Sequence, residues 1–232
     1  MVESRGDTVP WQTGSGRRGA FWAAVAIVEV SLAAIAVVKD VFVPTVVILV
    51  LATASLIVRR DGLSTLGIAR LGRPWRSAAE VLALTIGWTV LQLALFLPAL
   101  EHLTGTKQDL SEFAGLQGNL RMLMGLLGLS WTVAAIGEEL VYRGYIQTRI
   151  TDVLGTGTGG AVAVVAVSSA LFGLAHTEQG LLGVAATCLD GVFFSVLRMR
   201  YRTLWAPVLA HGFNNSIGLT AYFLAGPMYG LW

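Results

Sequence analysis

Seven apolar runs, separated by short polar segments, constrain this chain more than any other feature of its sequence. A membrane-spanning helix needs about 20 mostly apolar residues, and most of the runs reach or approach that length. Only 13% of the 232 residues are charged, whereas a soluble domain usually carries about 25%. The sequence therefore predicts an all-α, polytopic transmembrane helix bundle with about seven spans. The predicted spans are 20–38, 41–58, 78–100, 120–136, 161–174, 181–197 and 204–223.

The N-terminal region does not have the pattern of a cleaved signal peptide. Its apolar run is long, contains Glu29 and is followed almost at once by a second apolar run. We predict that the polar residues 1–19 form a disordered tail. Cys188 is the single cysteine, which excludes an intrachain disulfide and a cysteine-based zinc site. We expect it to be a small core residue.

The arginines are distributed unevenly between alternate loops, and this asymmetry predicts the orientation of the chain. They precede the first run or follow the second, fourth and sixth runs. The other loops contain Lys39, Lys107 and several acidic residues. Because basic loops stay on the cytoplasmic side, we predict a cytoplasmic N-terminus and a C-terminus on the opposite face. The arginines concerned are Arg17, Arg18, Arg59, Arg60, Arg70, Arg73, Arg76, Arg149, Arg198, Arg200 and Arg202.

The stretch GEELVYRGY places three charges directly after an apolar run. A charge at the centre of a bilayer costs about 2.5–3.5 kcal/mol on insertion scales, so these charges need a reason. On an α-helix Glu139 and Arg143 share a face and can pair, while Glu138 points about 100° away. The three charges could have a functional role, or they could form a buried ion-pair network that locks two helices. The network would leave Glu138 without a partner. For the isolated Glu29 and Glu80 we predict structural roles.

Two of the three histidines also lie in apolar runs. His176 follows Phe172 by one helical turn, and His211 precedes Asn215 by one turn, so each pair shares a helix face. A lone histidine in such a place is more often a core residue. Two histidines, an amide and the unpaired carboxylate of Glu138 are the parts of a hydrolytic site.

These segments resemble the signature of the CAAX prenyl-endopeptidase and bacteriocin-processing family of membrane proteases, formerly called the abortive-infection family. The resemblance covers roughly residues 120–219, and the three motifs occur in the order and spacing of the family. The matches are E-E-x-x-x-R at Glu138, Glu139 and Arg143, F-x-x-x-H at Phe172 and His176, and H-x-x-x-N at His211 and Asn215.

The resemblance implies an all-α bundle with a cavity that faces the membrane, and the activity of an intramembrane endopeptidase. Such an enzyme hydrolyses a peptide bond near the terminus of a membrane-associated substrate. On this basis residues 120–232 are predicted to form a catalytic core of four helices, and residues 20–119 to form accessory transmembrane helices that carry no motif.

The resemblance also implies roles for the motif residues. Glu138 would be the general base that activates water, and His176 would help to hold that water. His211 and Asn215 would donate hydrogen bonds to the oxyanion. This division agrees with peptide hydrolysis in general, which needs a base near the attacking water and donors aimed at the developing oxygen charge.

Three motif residues have supporting roles by the same resemblance. Glu139 and Arg143 would position the helix that carries the base. Phe172 is assigned to substrate binding.

The family is often grouped with metalloproteases, so a zinc site must be weighed. His176, His211 and Glu138 could ligate Zn²⁺ and leave one position open. The sequence has no H-E-x-x-H motif, however, and a ligating Glu138 would leave only the paired Glu139 as a base. We therefore favour a glutamate-activated water without an obligatory metal, and Zn²⁺ stays the alternative.

The expected partners are a peptide or membrane-protein substrate and the lipid bilayer, and no nucleic acid. The alanine- and glycine-rich, lysine-poor composition suggests a bacterium with GC-rich DNA, where prenylated proteins are not expected. We thus predict a bacterial cytoplasmic (inner) membrane protein that cleaves a peptide precursor or a membrane protein.

Two other classes of function stay open. One is a non-catalytic bacteriocin-immunity or partner-binding protein, which would have no need of the glutamate base. The other is a proton-coupled transporter, in which intramembrane Glu and His residues form relays. An internal repeat would favour the transporter, and the sequence shows none.

Overall fold

The structure of the protein is a computed structural model that describes residues 16–231. Most of the predicted N-terminal tail lies outside these residues. The all-α prediction is confirmed, because the described chain folds into seven long helices and contains no strand. The helices are α1 (Gly16–Val38), α2 (Pro44–Arg59), α3 (Pro74–Thr104), α4 (Leu120–Leu154), α5 (Thr158–Leu174), α6 (Gly180–Tyr201) and α7 (Trp205–Ala225).

Local sequence signals explain several of the helix ends. Pro44 and Pro74 open α2 and α3 at the first helical turn, where the missing N–H group of proline is not needed. The side chain of Asn119 caps α4 by accepting a hydrogen bond from the N–H of Met122 at 3.1 Å. Gly105 ends α3 with a left-handed φ of 67°, a conformation that glycine adopts without a steric penalty.

Several apolar helices make this a membrane protein. Four helical segments are long and apolar enough to cross a bilayer, namely Gly19–Val38, α3, α4 and Thr177–Tyr201, and α2 and α5 are shorter apolar helices. Large apolar side chains cover the outside of the bundle, where lipid rather than water is the favourable solvent. Examples with 65–71% of the side chain exposed are Val50, Ile57, Val162 and Leu224.

Small residues allow α5 and α6 to pack closely. A Cβ atom on Gly191 would lie 2.8 Å from the Cα of Ser169, and a Cβ atom on Gly173 would overlap the Sγ atom of Cys188. Small residues at such contacts let helix backbones approach each other in a membrane. Cys188 is only half-buried at this contact, whereas a place in the core was expected.

A network of five charges ties the accessory helices to α4. Glu29 on α1 binds Arg59 of α2 at 2.9 Å and Arg149 of α4 at 3.3 Å. Arg149 also contacts Asp61 at 3.2 Å and Asp152 at 2.8 Å. Glu29 therefore has the structural role that its apolar surroundings predicted, since its charge is compensated by two arginines.

The hydrophobic core centres on the second half of α4. Val141, Tyr142, Tyr145 and Ile146 are all 0% exposed and join one cluster with residues of α1, α2, α5, α6 and α7. Helix α4 continues well past the predicted end at residue 136. The charges that suggested an end at this point are held inside the bundle by the contacts described below.

Candidate active site

The central part of α4 is wound as a π-helix rather than an α-helix. Ser130–Glu138 and Leu140–Ile146 both have π-type hydrogen bonding. Regular α-helical spacing was expected for this segment, so the π-helical winding is a correction. π-Helical turns are rare and occur frequently at functional sites, and here they include Glu138 and flank Glu139 on both sides.

Glu138 and Glu139 lie in different environments. The side chain of Glu139 is 0% exposed, and its Oε1 atom lies 2.9 Å from Nη1 of Arg143 and 2.9 Å from Nδ1 of His211. The side chain of Glu138 is 17% exposed and lies no closer than 4.0 Å to Nε2 of His211. The predicted pairing of Glu139 with Arg143 is thus present, and Glu138 is left without a close cation.

Arg143 is enclosed by aromatic rings. Its guanidinium lies 4.2 Å from the ring centre of Phe172 and 5.2 Å from that of Phe194. A desolvated cation over an aromatic face gains about 2 kcal/mol or more. The ring of Phe172 is only 2% exposed, so it acts as a packing surface for Arg143. Its assignment to substrate binding stays a prediction.

A cavity of about 600 Å³ lies between α3, α4, α6 and α7, and it brings the three motifs together. Glu138, His176, His211 and Asn215 all line it. Glu139 and Arg143 do not contribute to its lining and lie behind it. The volume falls in the usual range for ligand sites, about 300–1,000 Å³.

His176 lies just beyond the C-terminal end of α5 rather than within an apolar helix, which corrects the predicted position. Its Nδ1 atom lies 2.9 Å from the carbonyl oxygen of Phe172. Because a carbonyl only accepts hydrogen bonds, Nδ1 carries the proton. The Nε2 atom forms no hydrogen bond within residues 16–231, and His176 lines the cavity.

His211 is held in place from two sides. Glu139 accepts a hydrogen bond from Nδ1, and the imidazole ring stacks on Phe194 with the ring centres 5.0 Å apart. These contacts leave Nε2 as the ring atom nearer to Glu138. The next residue, Gly212, allows this approach of α7 to α4, because a Cβ atom there would lie 2.5 Å from the ring of Trp131.

Helix α3 completes the cavity. It was expected to be an accessory helix without a part in the site. Trp88 and Gln92 donate hydrogen bonds to Asp190 of α6 at 2.6 and 3.1 Å. Thr89 donates to the side chain of Asn214, which also lines the cavity, at 3.0 Å. Asp190 was noticeable in the sequence as a charge within an apolar run, but nothing in one sequence pairs it with residues about a hundred positions away.

The three candidate zinc ligands, His176, His211 and Glu138, all line the cavity. Within residues 16–231 no group of three His, Cys, Asp or Glu side chains is arranged to hold a metal ion. Nδ1 of His211 contacts Glu139, and Nδ1 of His176 contacts a carbonyl oxygen. Metal-binding histidines make the same kind of contact with their second ring nitrogen, so the expected independence of an obligatory metal stays a prediction.

Comparison with known families supports the predicted resemblance. Residues 120–217 match a family model described as "Type II CAAX prenyl endopeptidase Rce1-like". The match includes every motif residue and leaves α1, α2 and α3 outside. No curated protein and no solved structure matches the chain. The resemblance predicted from the three motifs is thereby confirmed for residues 120–217.

Proposed function

Since residues 120–217 belong by sequence to the Rce1-like family of type II CAAX prenyl endopeptidases, we propose that this protein is a membrane-embedded endopeptidase. It hydrolyses a peptide bond near the terminus of a membrane-associated substrate. The observation that carries the proposal is the cavity that Glu138 shares with His176, His211 and Asn215.

Glu138 is the general base in this proposal. Its carboxylate lines the cavity, and no lysine or arginine of the described chain forms an ion pair with it. A carboxylate that forms no ion pair with lysine or arginine keeps its lone pairs available to a water molecule. His176 holds the same water by accepting a hydrogen bond at its free Nε2 atom.

His211 and Asn215 stabilise the oxyanion of the tetrahedral intermediate. Nδ1 of His211 is engaged by Glu139, so a second donor on this ring requires a proton on Nε2 as well. The Glu139 carboxylate supplies the countercharge for that imidazolium. An oxyanion donor is typically worth about 100- to 1,000-fold in rate. Glu139 thus positions and polarises a donor as well as pairing with Arg143.

The products follow from water attack on the peptide carbonyl. Glu138 takes one proton from the water as the C–O bond forms, and it gives that proton to the amine as the C–N bond breaks. The substrate is released as a new carboxyl terminus and a new amino terminus. Every step uses groups of the protein and one water molecule.

We infer that the protein lies in a bacterial cytoplasmic membrane with its N-terminus in the cytoplasm. Eleven arginines are in the loops and helix ends assigned to the cytoplasmic side, whereas the opposite loops and helix ends contain only Lys39, Lys107 and Arg121. The bilayer and a peptide or membrane protein are the partners that this placement implies.

Comparative proteomics of membranes tests the proposal in the cell. Membranes from cells with the intact protein are compared with membranes from cells that carry Glu138→Gln, and new peptide termini are identified by mass spectrometry. We expect termini that are present only with the intact protein. Identical sets of termini would favour the binding or immunity class instead.

A further inference from the structure

Asp190 is a charged residue of the cavity for which the proposed reaction has no use. It lies in α6 and lines the same cavity as Glu138. Its Oδ1 atom accepts two hydrogen bonds, from Nε1 of Trp88 at 2.6 Å and from Nε2 of Gln92 at 3.1 Å. No group of the described chain donates a hydrogen bond to Oδ2. Asp190 therefore has one oxygen fixed by the protein and one that is free to accept.

Asp190 differs from the other carboxylates buried in the described helices. Glu29 and Glu139 each form ion pairs with arginine, and Glu138 has His211 at 4.0 Å. Asp190 has only the two neutral donors and forms no ion pair within residues 16–231. An ionised carboxylate inside a membrane helix without a cation is unfavourable, and a cationic ligand would compensate it.

The charge of the whole cavity also favours a cationic ligand. Four carboxylates line it, those of Glu138 and Asp190 within the bundle and those of Glu112 and Glu178 in the adjoining loops. No lysine or arginine is among the described residues of the lining. With His211 as the imidazolium of the proposed mechanism, the four carboxylates still leave the lining negative overall. A concave site with low-dielectric walls and an excess of one sign of charge concentrates ligands of the opposite sign.

We propose that Asp190 binds a cationic side chain of the substrate, a lysine or arginine close to the scissile bond. This inference rests on the proposed function and adds a substrate class to it. Trp88 and Gln92 orient the carboxylate, and its free Oδ2 accepts from the substrate cation. Asp190 lies inside the family-matched segment 120–217 and both orienting residues lie outside it, so the accessory helix α3 contributes the orientation of this carboxylate.

The substitution Asp190→Asn removes the negative charge but keeps the shape of the side chain. The asparagine oxygen still accepts from Trp88 and Gln92, because both bonds end on the same atom of Asp190. Only the free oxygen is replaced, by a neutral amide nitrogen. Glu178→Gln is the matched control, since it also removes one negative charge from the cavity lining but leaves Asp190 in place.

Binding is measured first, without catalysis. The detergent-solubilised Glu138→Gln protein is titrated with fluorescent, N-acetylated and C-amidated peptides that carry lysine, norleucine or glutamate at one scanned position. We expect the lysine peptide to bind about tenfold more tightly than the norleucine peptide at one position, as a charged hydrogen bond predicts. Adding Asp190→Asn should abolish this difference, and adding Glu178→Gln should keep most of it.

Cleavage is measured second, with the protein otherwise unchanged and a mixture of peptides analysed by mass spectrometry. Lysine and arginine should be enriched near the cleaved bonds. Asp190→Asn should remove the enrichment and raise KM for a lysine peptide about tenfold while kcat changes little. Cleavage that depends on Glu138 but shows no preference for lysine or arginine would refute the subsite. It would still support the proposed endopeptidase activity.

Two further results complete the test. An equal loss of binding for all three peptides in Asp190→Asn would make Asp190 a structural residue and refute the subsite. A lysine preference in binding that depends on Asp190, without any cleavage that depends on Glu138, would support the subsite and overturn the proposed endopeptidase.

Discussion

The two adjacent glutamates should respond differently to the same substitution. Glu138→Gln keeps the shape of a side chain that forms no ion pair with lysine or arginine in the described chain. Its effect on stability should therefore be small, within about 0.5 kcal/mol. Turnover should fall by about 100-fold or more, because the general base is lost.

Glu139→Gln should mainly affect folding. It leaves Arg143, whose side chain is 0% exposed, without its only close anion in the described chain. An uncompensated buried charge destabilises by about 3–5 kcal/mol, and domains are stable by only about 5–15 kcal/mol. The substitution also weakens the bond to His211, so the surviving folded protein should be less active.

The assay combines thermal unfolding in detergent with turnover per folded molecule for both variants. Glu80→Gln is the control, because Glu80 is an exposed helix carboxylate that contacts Tyr201 and lies outside the cavity lining. A stable but inactive Glu139→Gln beside a fully active Glu138→Gln would show that the roles of the two carboxylates are reversed.

Four other outcomes follow from the structure. Prolonged treatment of the purified protein with phenanthroline should leave proteolysis unchanged, and loss of activity that zinc restores would make the histidines and a glutamate metal ligands. Reporter fusions should give a cytoplasmic signal at the N-terminus only, and a cytoplasmic signal at both ends would remove the seven-span topology. Glu29→Gln should lower stability by about 1–3 kcal/mol, the typical loss for an unmade bond between charged groups, without changing turnover per folded molecule. Gly212→Ala should destabilise by about 1–3 kcal/mol through overpacking against Trp131 and reduce turnover by moving His211, and an unchanged melting temperature would contradict this packing.

The helices and the pairing within α4 could be predicted because both depend on local sequence. Each apolar run marks a helix, since length and composition are enough to identify a span. Glu139 and Arg143 are four residues apart, so their contact follows from helical spacing alone. The motif pattern was sufficient to group Glu138 with His211 in one site, although it gave no distances.

Other features of the site depend on contacts that no local pattern contains. The bond between Glu139 and His211 joins positions 72 residues apart, and the bonds from α3 to Asp190 span about a hundred positions. The π-winding of α4 has no simple sequence signal. His176 was expected within a helix because the apolar run continues almost to it, yet α5 ends at Leu174.

Cleavage in water labelled with ¹⁸O tests the central claim most directly. Purified protein in liposomes is incubated with a peptide mixture in labelled water, and the new termini are read by mass spectrometry. We expect new carboxyl termini that carry one ¹⁸O atom, formed at least about 100-fold more slowly by Glu138→Gln. Equal rates of labelled product from the two proteins would contradict the assignment of Glu138 as the base that activates water.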